Sequence, residues 1–166
     1  GSARGIRVAS IGAEQDDLGG KIAPNAGPEA LTLSGDRLEV GLEEVFGRKS
    51  PVGLVRADGT VGFDAEMALV ARTIPMTGMD QIEDLLFTLH RGYNPLSGNR
   101  ILIEEWRSGE GREIGLITKP LTVDNFEGIA ATRLLDGTLR LYLISDDNFS
   151  DRQQTLLFAL DLSEGD

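Results

Sequence analysis

The chain has no cysteine, one histidine and only 5% aromatic residues. The first absence excludes disulfides and thiolate metal sites, and it fits a reducing cytoplasm as well as a periplasmic space. The second excludes a histidine-rich metal centre and leaves His90 as the one residue able to serve a Ser-His-Asp triad. Nothing approaches the length of a membrane span, so no membrane insertion is expected. Basic residues are scarce: 16 Lys and Arg face 27 Asp and Glu, for a formal charge of -11. That sign repels nucleic-acid phosphates and anionic lipid, and it favours cations. The N-terminus lacks the three regions of a signal peptide, and Gly1-Ser2 reads as a cloning remnant. There is no Gly-x-Ser-x-Gly elbow, no Walker loop and no metalloprotease helix motif.

What is present points to strands. Arg37 to Leu42 alternates, Ile101-Leu102-Ile103 is apolar and β-rich, and Leu139 to Ile144 alternates before closing as an apolar run. Between such runs lie Ser34-Gly35-Asp36, Ala57-Asp58-Gly59-Thr60, Ser97-Gly98-Asn99 and Leu135-Asp136-Gly137-Thr138, the chemistry of tight hairpins. Glycine is abundant, at 21 residues of 166, which suits many short turns better than long helices.

Three segments superimpose on one template. The first runs from Asn25 through Leu33, a turn, and Arg37 to Glu44; the third runs from Asp124 through Thr132, a turn, and Leu139 to Asp147. The second is looser: Thr77 to Ile82, a short turn near Glu83-Asp84, then Leu85 to Arg91, with Asp80 taken as its opening acid. Helical spacing of Ile82, Leu85, Leu86 and Leu89 offers a helix over Asp80 to Leu89 as the alternative. Two further strands follow each copy, roughly Val52–Arg56 with Met67–Arg72, then Arg100–Trp106 with Arg112–Thr118, and finally Thr155–Asp161 alone. Units of about 25–72, 76–118 and 123–161 result.

The expected fold is therefore all-β, a β-propeller fragment of about three four-stranded blades. Propellers carry about four to eight blades, so the chain reads as half of a six-bladed ring, completed by a second chain or by a self-dimer. Gly5 to Gly12 forms an orphan strand that either completes a preceding blade or pairs with the C-terminal strands to close a ring.

Asp124-Asn125-Phe126-Glu127-Gly128-Ile129-Ala130, with Leu141 to Ser150 and Gln154 to Leu157, resembles the C-terminal signature of the phytase-like family described by "esterase-like activity of phytase". Asn25 to Leu33 resembles the same family's mid-chain Asn-x-Gly-x-Glu-Ala-Leu element. The resemblance implies a hydrolase of phosphate or carboxylic esters, a small-molecule substrate, and a periplasmic or secreted location.

If each copy is an inner strand pair, Glu29, Asp80 and Glu127 converge at one channel mouth, with Asn25 and Asn125 near. Such oxygen donors suit a hard cation, and Ca2+ is the expected cofactor; the bland alternative is that the acids accept backbone N–H groups. Ser145-Asp146-Asp147-Asn148 adds Asp146 and Asp147 as metal ligands, although Asp151 and Leu157 stand where an EF-hand needs Gly and Glu, and a plain Asx-turn network reads equally well. Asn148-Phe149-Ser150 matches a glycosylation sequon. In a metal-assisted hydrolysis Glu127 and Asp80 supply carboxylates, and Arg91, which ends its strand as Glu43 and Asp146 end theirs, faces the substrate anion. Lys119 is a further basic candidate. His90 reads as a surface or strand-end residue, and Trp106 and Tyr93 as aromatics packed on neighbouring blades. The competing function is a non-catalytic module whose acidic mouth binds a cation or partner.

Overall fold

A computed structural model describes residues 9, 11, 14–15, 20–24, 26–68, 74–120 and 123–163. Among these, strands and turns are the whole of the regular structure. A short hairpin, β1 (Glu14–Gln15) with β2 (Gly20–Lys21), precedes three up-and-down antiparallel sheets. The first holds β3 (Pro28–Ser34), β4 (Arg37–Leu42), β5 (Lys49–Val55) and β6 (Val61–Ala68) in sequence order. The second holds β7 (Met76–Ile82), β8 (Leu85–Asn94), β9 (Gly98–Arg107) and β10 (Glu110–Ile117), and the third β11 (Asn125–Arg133), β12 (Leu139–Asp146) and β13 (Leu157–Leu162).

The first strands pack together, β3 on β7 and β7 on β11, which stacks the sheets around a common axis as blades of a β-propeller fragment. Apolar side chains fill both gaps. Ala30, Val52, Met76 and Met79 lie between the first two sheets. Phe87, Leu89, Ile101, Ile103, Phe126 and Leu141 are among those between the second and third. Each fully buried Leu or Phe contributes about 1.5–3 kcal/mol. The second sheet is covered on both faces, and this explains why the middle stretches of β8 and β9 are buried without alternation.

Local chemistry sets the turns. In Asp58-Gly59-Thr60 and Asp136-Gly137-Thr138 the Asp carboxylate accepts the Thr N–H, at 2.9 and 3.0 Å, and the glycine takes φ of 82° and 90°. That left-handed conformation is strained for a residue with a Cβ.

Several sequence expectations shift. Asp80 to Leu89 is a hairpin of β7 and β8 turning at Glu83, whose φ is 55°, so the helical spacing is incidental. The fourth strand of the first sheet is Val61–Ala68, directly after the Asp-Gly turn; of the expected Met67–Arg72, residues 69–72 lie outside the described residues. The orphan strand at Gly5 to Gly12 lies outside the described residues except for Ala9 and Ile11, which pack with Ile22 against Leu42, Val61 and Phe63 of the first sheet. Among the described residues β13 pairs with β12 alone.

Candidate functional site

The three first strands share one irregularity. Each carries a β-bulge near its start, between Pro28 and Ala30, Met76 and Gly78, and Phe126 and Gly128. The residue left out of register is Glu29, Thr77 or Glu127. A bulge turns such a side chain away from the strand's regular alternation. The opening position of the second copy is thus held by Thr77, not by Asp80, and carries no acid. The Thr77 hydroxyl, buried, donates to the Phe126 carbonyl at 3.2 Å.

Asp80 sits three residues farther along, level with Thr32 and Ala130. Its carboxylate accepts the Ala131 N–H at 2.7 Å and the Gln81 N–H at 3.0 Å, with the Thr32 hydroxyl at 3.5 Å. It links the first strands of all three sheets, to the third through the Ala131 N–H and to the first through the Thr32 hydroxyl, close to the bland role weighed from the sequence.

Glu43, Arg91 and Asp146 hold matching positions on the second strands, although β8 runs on to Asn94, so Arg91 does not end its strand as expected. Glu43 donates its N–H to the Gly27 carbonyl, Arg91 to the Pro75 carbonyl, and Asp146 pairs with Asn125. First strands begin at this end of the sheets, the end called the mouth below. Arg91 from the second sheet reaches Glu43 of the first at 3.4 Å and Glu127 of the third at 3.7 Å. All three side chains are partly exposed. The Asn125 amide donates to Glu127, while its own buried oxygen and the buried Arg91 Nε have no hydrogen-bond partner among the described residues. Burial pushes the Glu43 carboxyl above the usual carboxylate range; Arg91 pulls it down, and Glu29, Glu127 and Glu44 push it further up. A carboxyl with a raised pKa beside a guanidinium brings a proton-exchanging group and an anion-binding group to one place.

The five carboxylates expected to hold Ca2+ are not gathered in this way. Among the described residues no group of three or more His, Cys, Asp or Glu is placed to hold a metal ion. Arg91 stands beside Glu127, Asp80 is engaged by amides, and Asp146 and Asp147 accept the Asn148 and Phe149 N–H groups at 3.1 and 2.9 Å in an Asx-turn network. Asn25 lies outside the described residues.

The signature segment has a structural logic of its own. Buried Asp124 accepts the Gln154 N–H at 2.6 Å, the Gln153 side-chain amide at 3.1 Å and the Asn125 N–H at 2.9 Å. The Ser145 hydroxyl donates to the Gln154 carbonyl and accepts the Leu156 N–H, both at 2.8 Å. Together they pin the 147–154 loop beside the mouth. An open cleft of about 700 Å³ lies there, lined by Lys119, Asp124, Arg152 and Gln154 among others. Sequence reading quoted Asp124 and Ser145 but gave Asp124 no anchoring role.

His90 is a correction. It is wholly buried on the face toward the first sheet, where Nε2 lies 2.9 Å from the Thr88 hydroxyl and 3.2 Å from Glu104. Trp106 donates its indole N–H to the same hydroxyl at 3.1 Å. A histidine so enclosed is a packing element of the blade. Tyr93 is exposed at the end of β8.

A family model for phytase-like proteins, described as esterase-like activity of phytase, matches residues 4–149. No curated protein matches the chain. Among solved structures it is similar to a putative oxidoreductase (glucose dehydrogenase) from Thermus thermophilus, with 15% identity and a TM-score of 0.39 over 80% of this chain. The chain spans 45% of the length of that structure.

Proposed function

The chain belongs to the phytase-like family, and from that premise we propose that its mouth binds and hydrolyses a small phosphate or carboxylic ester. The observation that carries the reading is the convergence of Glu43, Arg91 and Glu127, one from each sheet, at a single end of the blade stack. Arg91 pairs with the ester's anionic or developing negative oxygen. Glu127 accepts a proton from the attacking water, and Glu43, whose carboxyl is held above its usual range, gives a proton to the leaving oxygen. One water is consumed; an acid and an alcohol leave. Lys119 and Arg152 at the neighbouring cleft supply the extra positive charge that a phosphate needs.

A second reading rests on the same ion pairs: Arg91 is already matched by two carboxylates, as it would be in a mouth that only joins blades or holds a partner. Turnover of a phosphate monoester and a carboxylic ester, with and without added Ca2+, separates the two. The proposal expects turnover of at least one ester, and Ca2+ as cofactor remains the sequence-based expectation that its addition tests. Thermal stabilisation by ester or Ca2+ with no turnover supports the binding module instead. No helix among the described residues is long and apolar enough to cross a membrane; secretion is part of the proposal and rests on family resemblance.

A further inference from the structure

Two places before each bulged residue the three sheets carry three different residues in one backbone role. Gly27, Pro75 and Asn125 stand opposite Glu43, Arg91 and Asp146. Main-chain pairing is what the position supplies: the Gly27 carbonyl accepts the Glu43 N–H at 3.0 Å, and the Pro75 carbonyl accepts the Arg91 N–H at 3.1 Å. Glycine and proline fill the position with no hydrogen-bonding side chain, so the blade itself does not call for one. Asn125 brings one and buries it, at 1% exposure.

That side chain has one partner. Its NH2 group donates to Glu127 Oε1, two residues on, while its oxygen is without a hydrogen bond among the described residues. A carboxylate oxygen only accepts, so the NH2 has to face it. An amide oxygen buried without a partner is unfavourable, and what is gained in exchange is a held Glu127 carboxylate. Arg91 Nη2 approaches the same Oε1 at 3.7 Å, so both neighbours grip one oxygen and Oε2 has no partner among the described residues. The other two bulges lack this pairing. Thr77 takes the place of the acid after Pro75, and Glu29, after Gly27, is exposed. Of the three bulges, only that of the third sheet joins an acid to a side-chain donor from its own strand.

We propose that Asn125 is a positioning residue: it fixes Glu127 through Oε1, so that Oε2 is the oxygen that takes the proton of the attacking water. This role rests on the hydrolysis proposed above for the same mouth. The water oxygen forms the bond to the ester's phosphorus or carbonyl carbon, and its proton passes to Glu127 Oε2. The bond to the leaving oxygen then breaks, and that oxygen takes its proton from Glu43. A base has to sit within hydrogen-bond reach of the proton it removes. A carboxylate free to turn about its side-chain bonds would spend much of its time out of that reach, and small misplacements of a reacting group are costly in rate.

Steady-state kinetics of Asn125→Ala and Asn125→Gly, on whichever ester the wild type turns over, test this beside a nitrogen–proton correlation spectrum of the full chain. Glycine is what the first sheet carries at the same position, so Asn125→Gly should keep the wild-type circular dichroism spectrum. In both variants kcat should fall about 10-fold or more. KM should stay within about twofold, because Asn125 touches the base and not the substrate. The Asn125 side-chain NH2 resonances, identified by their loss in Asn125→Ala, should move in Glu127→Gln. A wild-type kcat in the folded variants, a change in KM alone, or NH2 resonances indifferent to Glu127→Gln overturns the role and leaves the hydrolysis standing. A wild type that turns over neither ester overturns the hydrolysis, and the role with it.

Discussion

Asp80→Asn isolates the contact that joins all three first strands. The carboxylate accepts the Ala131 N–H at 2.7 Å across the second junction and the Gln81 N–H at 3.0 Å. In the amide, one oxygen can serve only one of these, and an NH2 group then faces the other N–H. Gln81 keeps a second acceptor in the Thr32 hydroxyl at 3.0 Å, so the loss falls on Ala131. Leaving a part-buried donor without its charged acceptor costs about 1–3 kcal/mol. At roughly 2–4 °C per kcal/mol for a domain of this size, a central cost of about 2 kcal/mol lowers Tm by about 4–8 °C. Melting followed by circular dichroism and Trp106 fluorescence reads it, with Asp84→Asn as control, since its ion pair with Arg107 is exposed on both sides and changes stability by less than about 1 kcal/mol. A Tm for Asp80→Asn within about 1 °C of wild type, like the control, refutes the joining role.

Asp124→Ala removes the acceptor of three N–H groups; a loss of about 2–4 kcal/mol and earlier protease cleavage in the 147–154 loop are expected, read by melting and by mapping the cut. Gly78→Val drives side-chain atoms into the Glu127 carbonyl and Ile129, which a Cβ alone already meets at 3.1 and 3.2 Å, and should cost about 1–3 kcal/mol in a urea titration. For Glu43, a folded pKa raised above the usual 4.5 means that stability is full below that value and declines as pH rises through the folded pKa. Relative to wild type, Glu43→Gln should therefore gain Tm between pH 4 and pH 7, and an unchanged difference between the two pH values would contradict the raised carboxyl.

The blade repeat was legible in the sequence because strand alternation and Asp-Gly turns are local signals. Glu43 and Asp146 could be matched because each follows or closes a strand of regular alternation, and Arg91 by its place in the repeat. The bulge is a matter of backbone pairing and has no letter of its own. With Thr where the other copies have Glu, the second sheet hid its true opening residue, and Asp80, three places on, took its place. His90 was misplaced by another route. Leu85 to His90 is buried on both faces, so apolar residues and Thr88 and His90 follow one another without the polar rhythm that marks an inside and an outside. Asp124 acts on Gln153 and Gln154, about 30 residues on, a distance over which sequence spacing says nothing.

The kcat/KM of Arg91→Ala on a phosphate monoester and a carboxylic ester, beside wild type, tests the mouth most directly. Arg91 bridges carboxylates from the other two sheets and is the guanidinium offered to the ester. The account predicts wild-type turnover and a loss on the order of 100-fold in the variant, about 2.7 kcal/mol of transition-state stabilisation. Equal rates for the two proteins, or no turnover by the wild type, would contradict it.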